Sequence, residues 1–589
     1  MSSSKAKISI LAALLIGLTA CHPGAPTSAR AAAPAGPSAP DSWVPTRDSF
    51  IEDYLKAQPF FAAQAGRHEF DGQMPDLSAA GIERESARLQ AWRTRLAGLD
   101  TSGFSDRDRF EREYAMSVVD DDLFWLDKAR APFTNPAWYL NQIDPDMYLS
   151  RKYAPPDVRM KAYIQYARAI PKIAADIEAN LKPPMPAAYV KLAIDSFGGY
   201  ADFYRRDVAP VFADVKDAAL QKQLAAADEA AAKAMTRLKG RFDADRKTEN
   251  EKFALGKALF AEMLEDTERV DAPIDQIEAA GRADLARNTA ALKAACAAYL
   301  PNGTLAACVA HMQANKPQGG SIEAARMQLE MLEQFVVDHH IVSVPSGENA
   351  LVAEAPPYNR SNFAFIQVPG PYDKGVASVY NIAPPDPKWS KEKQDAYIPG
   401  EADLMFTSVH EVWPGHFVQF LHSNSNPSKL EGLWVGYGFA EGWAHYCEQM
   451  MFEMGFGNGD PEMHIGQLTE ALLRDVRLLS AIGMQTEGMT PAQSEKMFTD
   501  VAFQDPGNAE QQAARGTYDP EYLNYTLGKL MILKLRADWV AKQLQGKAAT
   551  EEEQHQLWRK FHDEFLSYGG PPIPLLRKEM LGSSAGSLL

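Results

Sequence analysis

The sequence predicts a mainly α-helical fold carrying a small antiparallel β-sheet beside a cleft. Three observations predict it. Between residues 48 and 340, apolar side chains return at three- and four-residue steps, interrupted by Pro- or Gly-bearing connections. Between 341 and 383 the pattern changes to short β-branched and aromatic runs punctuated by Pro and Gly. From 401 to 589 helical spacing returns, with histidines and glutamates grouped on two neighbouring segments.

The chain opens MSSSKAKISILAALLIGLTAC, in which a lysine-bearing start precedes an apolar run from Ile8 to Leu18 and small residues. That is the pattern of a secretory signal over 1–20, too short for a comfortable membrane span. Leu18-Thr19-Ala20-Cys21 resembles a bacterial lipoprotein cleavage box, which makes Cys21 the expected lipidation site. The alternative is ordinary cleavage, with Cys21 discarded or free. By analogy with enteric bacteria, His22 after the cysteine points to the outer membrane. The Pro-, Ala- and Ser-rich stretch 21–47 reads as the lipid-attachment cysteine followed by a tether, so globular sequence is expected from 48 to 589 as one domain.

Over the whole chain, 46% hydrophobic residues suffice for a substantial core, and no later apolar run is long enough to suggest a second membrane element. A net charge of −17 argues against nucleic-acid binding through a general basic surface. The expected membrane contact is therefore the N-terminal lipid alone. The remaining cysteines are Cys296, Cys308 and Cys447. Cys296 and Cys308 flank a PNGT loop between two helices and make either a local disulfide in an oxidising compartment or two buried thiols. Cys447 reads as a packed thiol.

The helical segments of 48–340 should pack against one another, and the Ala-rich 219–240 stretch lacks the sustained heptads of a coiled-coil partner surface. In the β region, Ser378, Val379, Tyr380 and Asn381 are the candidate edge strand for binding a substrate backbone by strand addition, the alternative being a structural hairpin over the core. The glycines of LWVGYGFA lack the strand and helix context of a phosphate loop and suit a loop at the mouth of a site.

The chemistry concentrates in His410-Glu411-Val412-Trp413-Pro414-Gly415-His416 and Glu441-Gly442-Trp443-Ala444-His445-Tyr446-Cys447-Glu448. Two histidines, a glutamate beside the first and another glutamate on a following helix are the parts of a catalytic zinc centre: three protein ligands, an open fourth position and a general base. The histidines, however, stand six residues apart rather than four. Six residues rotate about 600° on a regular helix, leaving the side chains about 120° apart, so a straight helix would not chelate. Pro414 cannot donate an intrahelical hydrogen bond and Gly415 tolerates unusual dihedrals, so the pair can bulge the turn and bring His416 back towards His410. That predicts a distorted helix over 413–416. The alternative is that Pro-Gly ends a helix and leaves His416 on the surface of a first turn. On the second segment Glu441, His445 and Glu448 lie at i, i+4 and i+7 and share a face.

HEVWPGHFVQF and EGWAHYCEQM resemble the paired signatures of the bacterial domain of unknown function 885 family, proteins similar to helical zinc-dependent oligopeptidases and carboxypeptidases. PFFAAQAGRHEFDGQMPDLS, DPEYLNYTLGKLMILKLR and FHDEFLSYGGPPIPLL extend the likeness from about residue 48 onward. The resemblance implies a zincin-like helical body binding one Zn2+ through His410, His416 and Glu441, with Glu411 as general base. Glu448 is expected to accept a hydrogen bond from a ligand imidazole, and His445 to support the ligands or pack. Tyr525 is the expected oxyanion donor, with Arg515 a possible clamp on a substrate carboxylate. One departure stands out: the family's Arg…Asp-x-Gly-x-His segment reads Arg477 to Gln485 here, with Ala481 at the aspartate position and Gln485 at the histidine position. Glutamine donates a hydrogen bond but carries no proton, which would shift substrate preference or weaken activity.

The function expected from these residues and this resemblance is zinc-dependent hydrolysis of short or unfolded peptides in the bacterial cell envelope, on the periplasmic side. A secreted or soluble periplasmic location is the alternative. A metal-dependent hydrolase of another amide or ester, or a peptide-binding envelope lipoprotein without turnover, are the other functional readings.

Overall fold

A computed structural model describes residues 41–356, 360, 362–582 and 586–589; the expected signal segment, Cys21 and the tether to residue 40 lie outside them. The first helix, α1 (Trp43–Ala57), starts inside the stretch expected to be tether. Its start is masked in the sequence by Pro45, which a first turn accommodates because no intrahelical donor is needed there. Trp43 is buried, contacts Phe104 and donates from its indole to Glu111, so the helix is docked from its first residue.

Two hydrophobic cores follow. Helices α2 (Pro156–Asn180), α3 (Ala187–Arg206) and α4 (Ala218–Asp245) form one. The Ala-rich α4 buries Leu220, Leu224, Ala227, Ala231, Met235, Leu238 and Phe242, a stripe at three- and four-residue steps that packs against α2 and α3. It is thus consumed within the chain. The second core contains α1, α5 (Ile274–Tyr299), α6 (Ser321–Asp338) and the helices after residue 400. Cys296 at the end of α5 is disulfide-bonded to Cys308, closing the PNGT loop.

The sheet joins β1 (Leu351–Glu354), β2 (Ala364–Gln367) and β3 (Val379–Ile382) in the order β1-β3-β2. It is mixed rather than antiparallel: β1 runs parallel to β3, and β2 antiparallel to it, with Ile366 opposite Tyr380. This corrects the edge-strand assignment of Ser378, Val379, Tyr380 and Asn381. Val379 to Asn381 lie in the central strand, both of whose sides are paired, and the Ser378 carbonyl accepts from Leu351 N–H. Burial accompanies the order: Tyr380 and Ile382 of the central strand are enclosed, whereas Leu351 of β1 is exposed. The strand beside the cleft is β2, all four residues of which line it.

After the sheet come α7 (Glu401–Glu411), α8 (His416–Ser425), α9 (Tyr437–Glu453), α10 (Pro461–Thr486), α11 (Pro506–Tyr518), α12 (Asn524–Leu544) and α13 (Glu551–Leu566). On α13, His562 Nδ1 meets the Ile341 carbonyl at 2.7 Å and Nε2 meets the Tyr446 hydroxyl at 2.6 Å, tying the closing segment behind α9. Helices α9 and α12 cross at a pair of glycines. A Cβ on Gly528 would stand 2.2 Å from the Gly438 carbonyl oxygen, and one on Gly442 would stand 2.7 Å from the Gly528 carbonyl carbon. Because the obstructing atoms are backbone, Gly528→Ala is expected to cost about 3 kcal/mol, the upper end for overpacking, and to lower the thermal midpoint. Gly240→Ala, where a Cβ meets nothing, should be neutral or stabilising by about 0.5–1 kcal/mol. Thermal unfolding of the two variants checks both.

Candidate metal centre

A cleft of about 2610 Å³ is lined from both cores, by Tyr200 and Phe203 on one side and by His410, Tyr437 and Tyr525 on the other. His410 lies in the last turn of α7 and His416 is the first residue of α8. The helix therefore neither runs through Pro-Gly as one distorted element nor leaves His416 on the surface. It stops at Glu411, turns over 412–415 and restarts. Restarting abolishes the rotation that would separate the histidines on one helix, and their ring centroids lie 4.8 Å apart.

The turn is tight enough to require glycine. Gly415 N–H donates to the Val409 carbonyl, and a Cβ on Gly415 would stand 1.8 Å from the His410 carbonyl oxygen. Pro414 offers its carbonyl to Trp443 Nε1–H, 3.0 Å, and to the buried Cys447 thiol, 3.7 Å. Helix α9 thus holds the turn between the histidines as well as presenting Glu441 to them.

Glu441 Oε2 lies 3.3 Å from His410 Nε2 and 3.3 Å from His416 Nε2. One ligand atom from each of the three residues falls within 4.8 Å of the others. A tetrahedral zinc ion with bonds of about 2.0–2.1 Å spaces its ligand atoms about 3.3–3.4 Å apart, so these residues fit such an ion. The same oxygen is buried and accepts no hydrogen bond, a costly state for a carboxylate unless a cation faces it. The electrostatics agree. Against the cost of burial, the carboxylates of Glu441 and Glu448 raise the His410 pKa to about 9, and although burial opposes it, the His416 and His410 charges hold Glu441 well below the usual carboxylate range. The centre stabilises added positive charge.

Glu448 Oε1 lies 2.7 Å from His410 Nδ1, the geometry that orients a ligand imidazole, and 3.2 Å from Arg474 Nη2. His445 is fully buried with Nδ1 3.1 Å from Glu448 Oε2; burial, then the Lys529 charge, lower its pKa to about 3, so it stays neutral behind Glu448. Glu411 lines the cleft and its Oε2 accepts from Ile366 N–H of β2 at 2.9 Å. Burial raises its pKa, with the neighbouring imidazoles opposing.

Tyr525 lines the same wall, its ring near parallel to that of His410 with centroids 6.3 Å apart. Arg515 also reaches the cleft, but Nε is 2.8 Å from Asp519 and Nη2 donates to the Tyr437 hydroxyl at 2.6 Å. Ala481 and Gln485 are buried and do not line the cleft. Gln485 bridges segments instead, donating to the Gly516 carbonyl at 2.9 Å and accepting from Leu255 N–H at 2.9 Å. Both residues thus take part in packing between segments, away from the cleft.

Sequence reading assigned no role to Arg474, Arg477, Tyr437 or Ile366. A signal for the arginines was present: Arg474-Asp475-Val476-Arg477 puts three charges into a stretch of α10 that is otherwise apolar and wholly buried.

The fold and centre define a large helical protein, bearing a small sheet, with a His/His/Glu cluster suited to a metal ion at the wall of a cleft. The chain belongs to the bacterial protein family of unknown function DUF885, whose model matches residues 59–580. It shares its fold with a candidate lipoprotein of unknown function from Shewanella oneidensis, at 23% identity and a TM-score of 0.75, covering 92% of this chain and 100% of that one. A candidate lipoprotein from Colwellia psychrerythraea has 16% identity and a TM-score of 0.72, covering 91% and 97%. Pz peptidase A with an inhibitor, at 11% identity and a TM-score of 0.34 over 84% of this chain and 92% of that one, is too distant to carry an argument. No curated protein matches the chain.

Proposed function

We propose that this protein is a zinc-dependent hydrolase of peptide bonds. The observation that carries the proposal is the buried, hydrogen-bond-free Oε2 of Glu441 held 3.3 Å from each histidine, with Glu411 on the same cleft. His410, His416 and Glu441 would hold the ion, which when bound supplies an acidified water and polarises an acyl oxygen. Glu411 takes the proton from the attacking water and delivers it to the leaving nitrogen, and the Ile366 N–H keeps its carboxylate aimed. Tyr525 donates to the oxygen on which negative charge develops. A peptide suits the cleft because β2 lies along it as an edge strand, ready to align an extended backbone, whereas Ser378–Asn381 do not.

The same three ligands would serve hydrolysis of another amide or an ester, since metal geometry does not choose the acyl group, and a peptide-binding protein without turnover would share the cleft. The similar structures described as candidate lipoproteins support an N-terminal lipid anchor at Cys21 and a periplasm-facing body, with the outer membrane as the expected site. The Cys296–Cys308 disulfide fits an oxidising compartment, and no helix among the described residues is long and apolar enough to cross a membrane.

The test is zinc analysis of the chain from residue 41, together with mass-spectrometric digestion of a mixed peptide pool. About one zinc per chain and chelator-sensitive cleavage are expected. Zinc without peptide cleavage would turn the reading to another acyl substrate or to binding, and a folded protein that takes up no zinc would overturn it.

A further inference from the structure

We infer that the cleft holds a subsite for the free C-terminal carboxylate of a peptide, built on Arg477, and that the protein trims chains from that end. The inference rests on the hydrolase reading above.

Three arginines line this wall of the cleft, Arg474, Arg477 and Arg515. Two are occupied by acids: Arg474 pairs with Glu448 and Glu470, and Arg515 with Asp519. Arg477 is different. It is 8% exposed, and among the described residues no carboxylate lies within ion-pairing distance of it. Its polar contact is Nε donating to the neutral Gln512 Oε1 at 2.9 Å. Gln512 is itself oriented, its amide donating to Asn508 Oδ1 at 3.3 Å. Tying down Nε leaves the two Nη groups as a fork without a protein acceptor among the described residues.

A buried guanidinium without an anion is a costly arrangement for stability, and its planar fork matches a carboxylate. Lysine would not reproduce that geometry. The position suits a chain terminus. Arg477 Cζ lies 4.6 Å from the centroid of the Tyr525 ring, which in turn is 6.3 Å from the His410 ring. A residue of extended chain spans about 3.3–3.6 Å, so one or two residues fit between a carbonyl at the centre and a carboxylate on Arg477. Arg515, the candidate clamp suggested by the family resemblance, is already engaged by Asp519 and Tyr437.

The test separates the subsite from the chemistry. Zinc-loaded Glu411→Gln protein is titrated calorimetrically with a dipeptide bearing a free C-terminal carboxylate and with the same dipeptide as its C-terminal amide. The acid should bind at least tenfold tighter, a preference that Arg477→Met abolishes and Arg477→Lys reduces. Equal binding of acid and amide overturns the subsite, and so does an acid preference unchanged in a folded Arg477→Met variant, because the carboxylate would then be sitting on the metal. The acid and amide comparison with Arg477 in place needs no substitution at the subsite itself. With Glu411 intact, digestion should release one or two residues from free C-termini and spare amidated peptides. Internal cleavage of amidated peptides at the same rate overturns the subsite and leaves the hydrolase reading standing. Carboxylate-selective binding without any cleavage does the reverse, keeping the subsite and removing the hydrolase.

Discussion

Replacing Glu411 by Gln lowers turnover by roughly 10²–10⁴-fold, the range for loss of a positioned general base, while zinc content stays the same. Glutamine keeps the shape and an oxygen to accept from Ile366 N–H, but cannot take a proton from water. The pH profile gives an independent reading. Glu411 must be ionised to act, and burial raises its pKa above the ordinary 4.5. Activity is therefore full above the raised value and falls as pH drops through it; a bound dication opposes the rise without changing the sign. The unsubstituted protein should show this acid limb in kcat/KM, and the residual hydrolysis of the Glu411→Gln variant should not. Substantial activity after Glu411→Gln would remove the residue from the mechanism.

His416→Ala removes one of three ligands and is expected to lower zinc affinity by more than the roughly 10–100-fold that loss of a ligand's hydrogen-bond partner costs. Glu448→Gln supplies that smaller comparison, since it keeps an oxygen near His410 Nδ1 but discards the charge that Arg474 also pairs with. Competition with a chelator of known affinity measures both. The unfolding midpoint in excess zinc should rise for the unsubstituted protein and hardly move for His416→Ala, because an ion stabilises only the state that binds it. Equal zinc affinities for the unsubstituted protein and His416→Ala would mean that the ion binds elsewhere.

Much of the site was legible because its signals are local. His410, Glu411 and His416 lie within seven residues, Glu441 and Glu448 share a helical face, and the odd six-residue spacing is flagged by Pro414-Gly415. The form of the distortion differed. A single bulged helix was expected, whereas two helices meet end to end, because Gly415 packs against the His410 backbone and α9 fastens the Pro414 carbonyl. Less legible was everything that depends on a distant partner. Trp43 docks on Phe104 and Glu111, contacts that no Pro-rich composition announces, so α1 began before the expected boundary. Which strand is central depended on which segments pair with it, and a four-residue strand does not announce its partners.

The sequence by itself determined the helical class, through periodic apolar faces such as that of α4, and the inventory of a metal centre, through residue types whose chemistry depends little on context. Tertiary structure decided strand order, the pairing of Cys296 with Cys308, and the fates of the three arginines. Arg474, Arg477 and Arg515 are the same residue type, and two of them lie three positions apart on one helix. Acids meet Arg474 and Arg515, whereas a neutral amide meets Arg477. A charge's role is set by the groups that share its low-dielectric surroundings, and here those groups arrive from other helices.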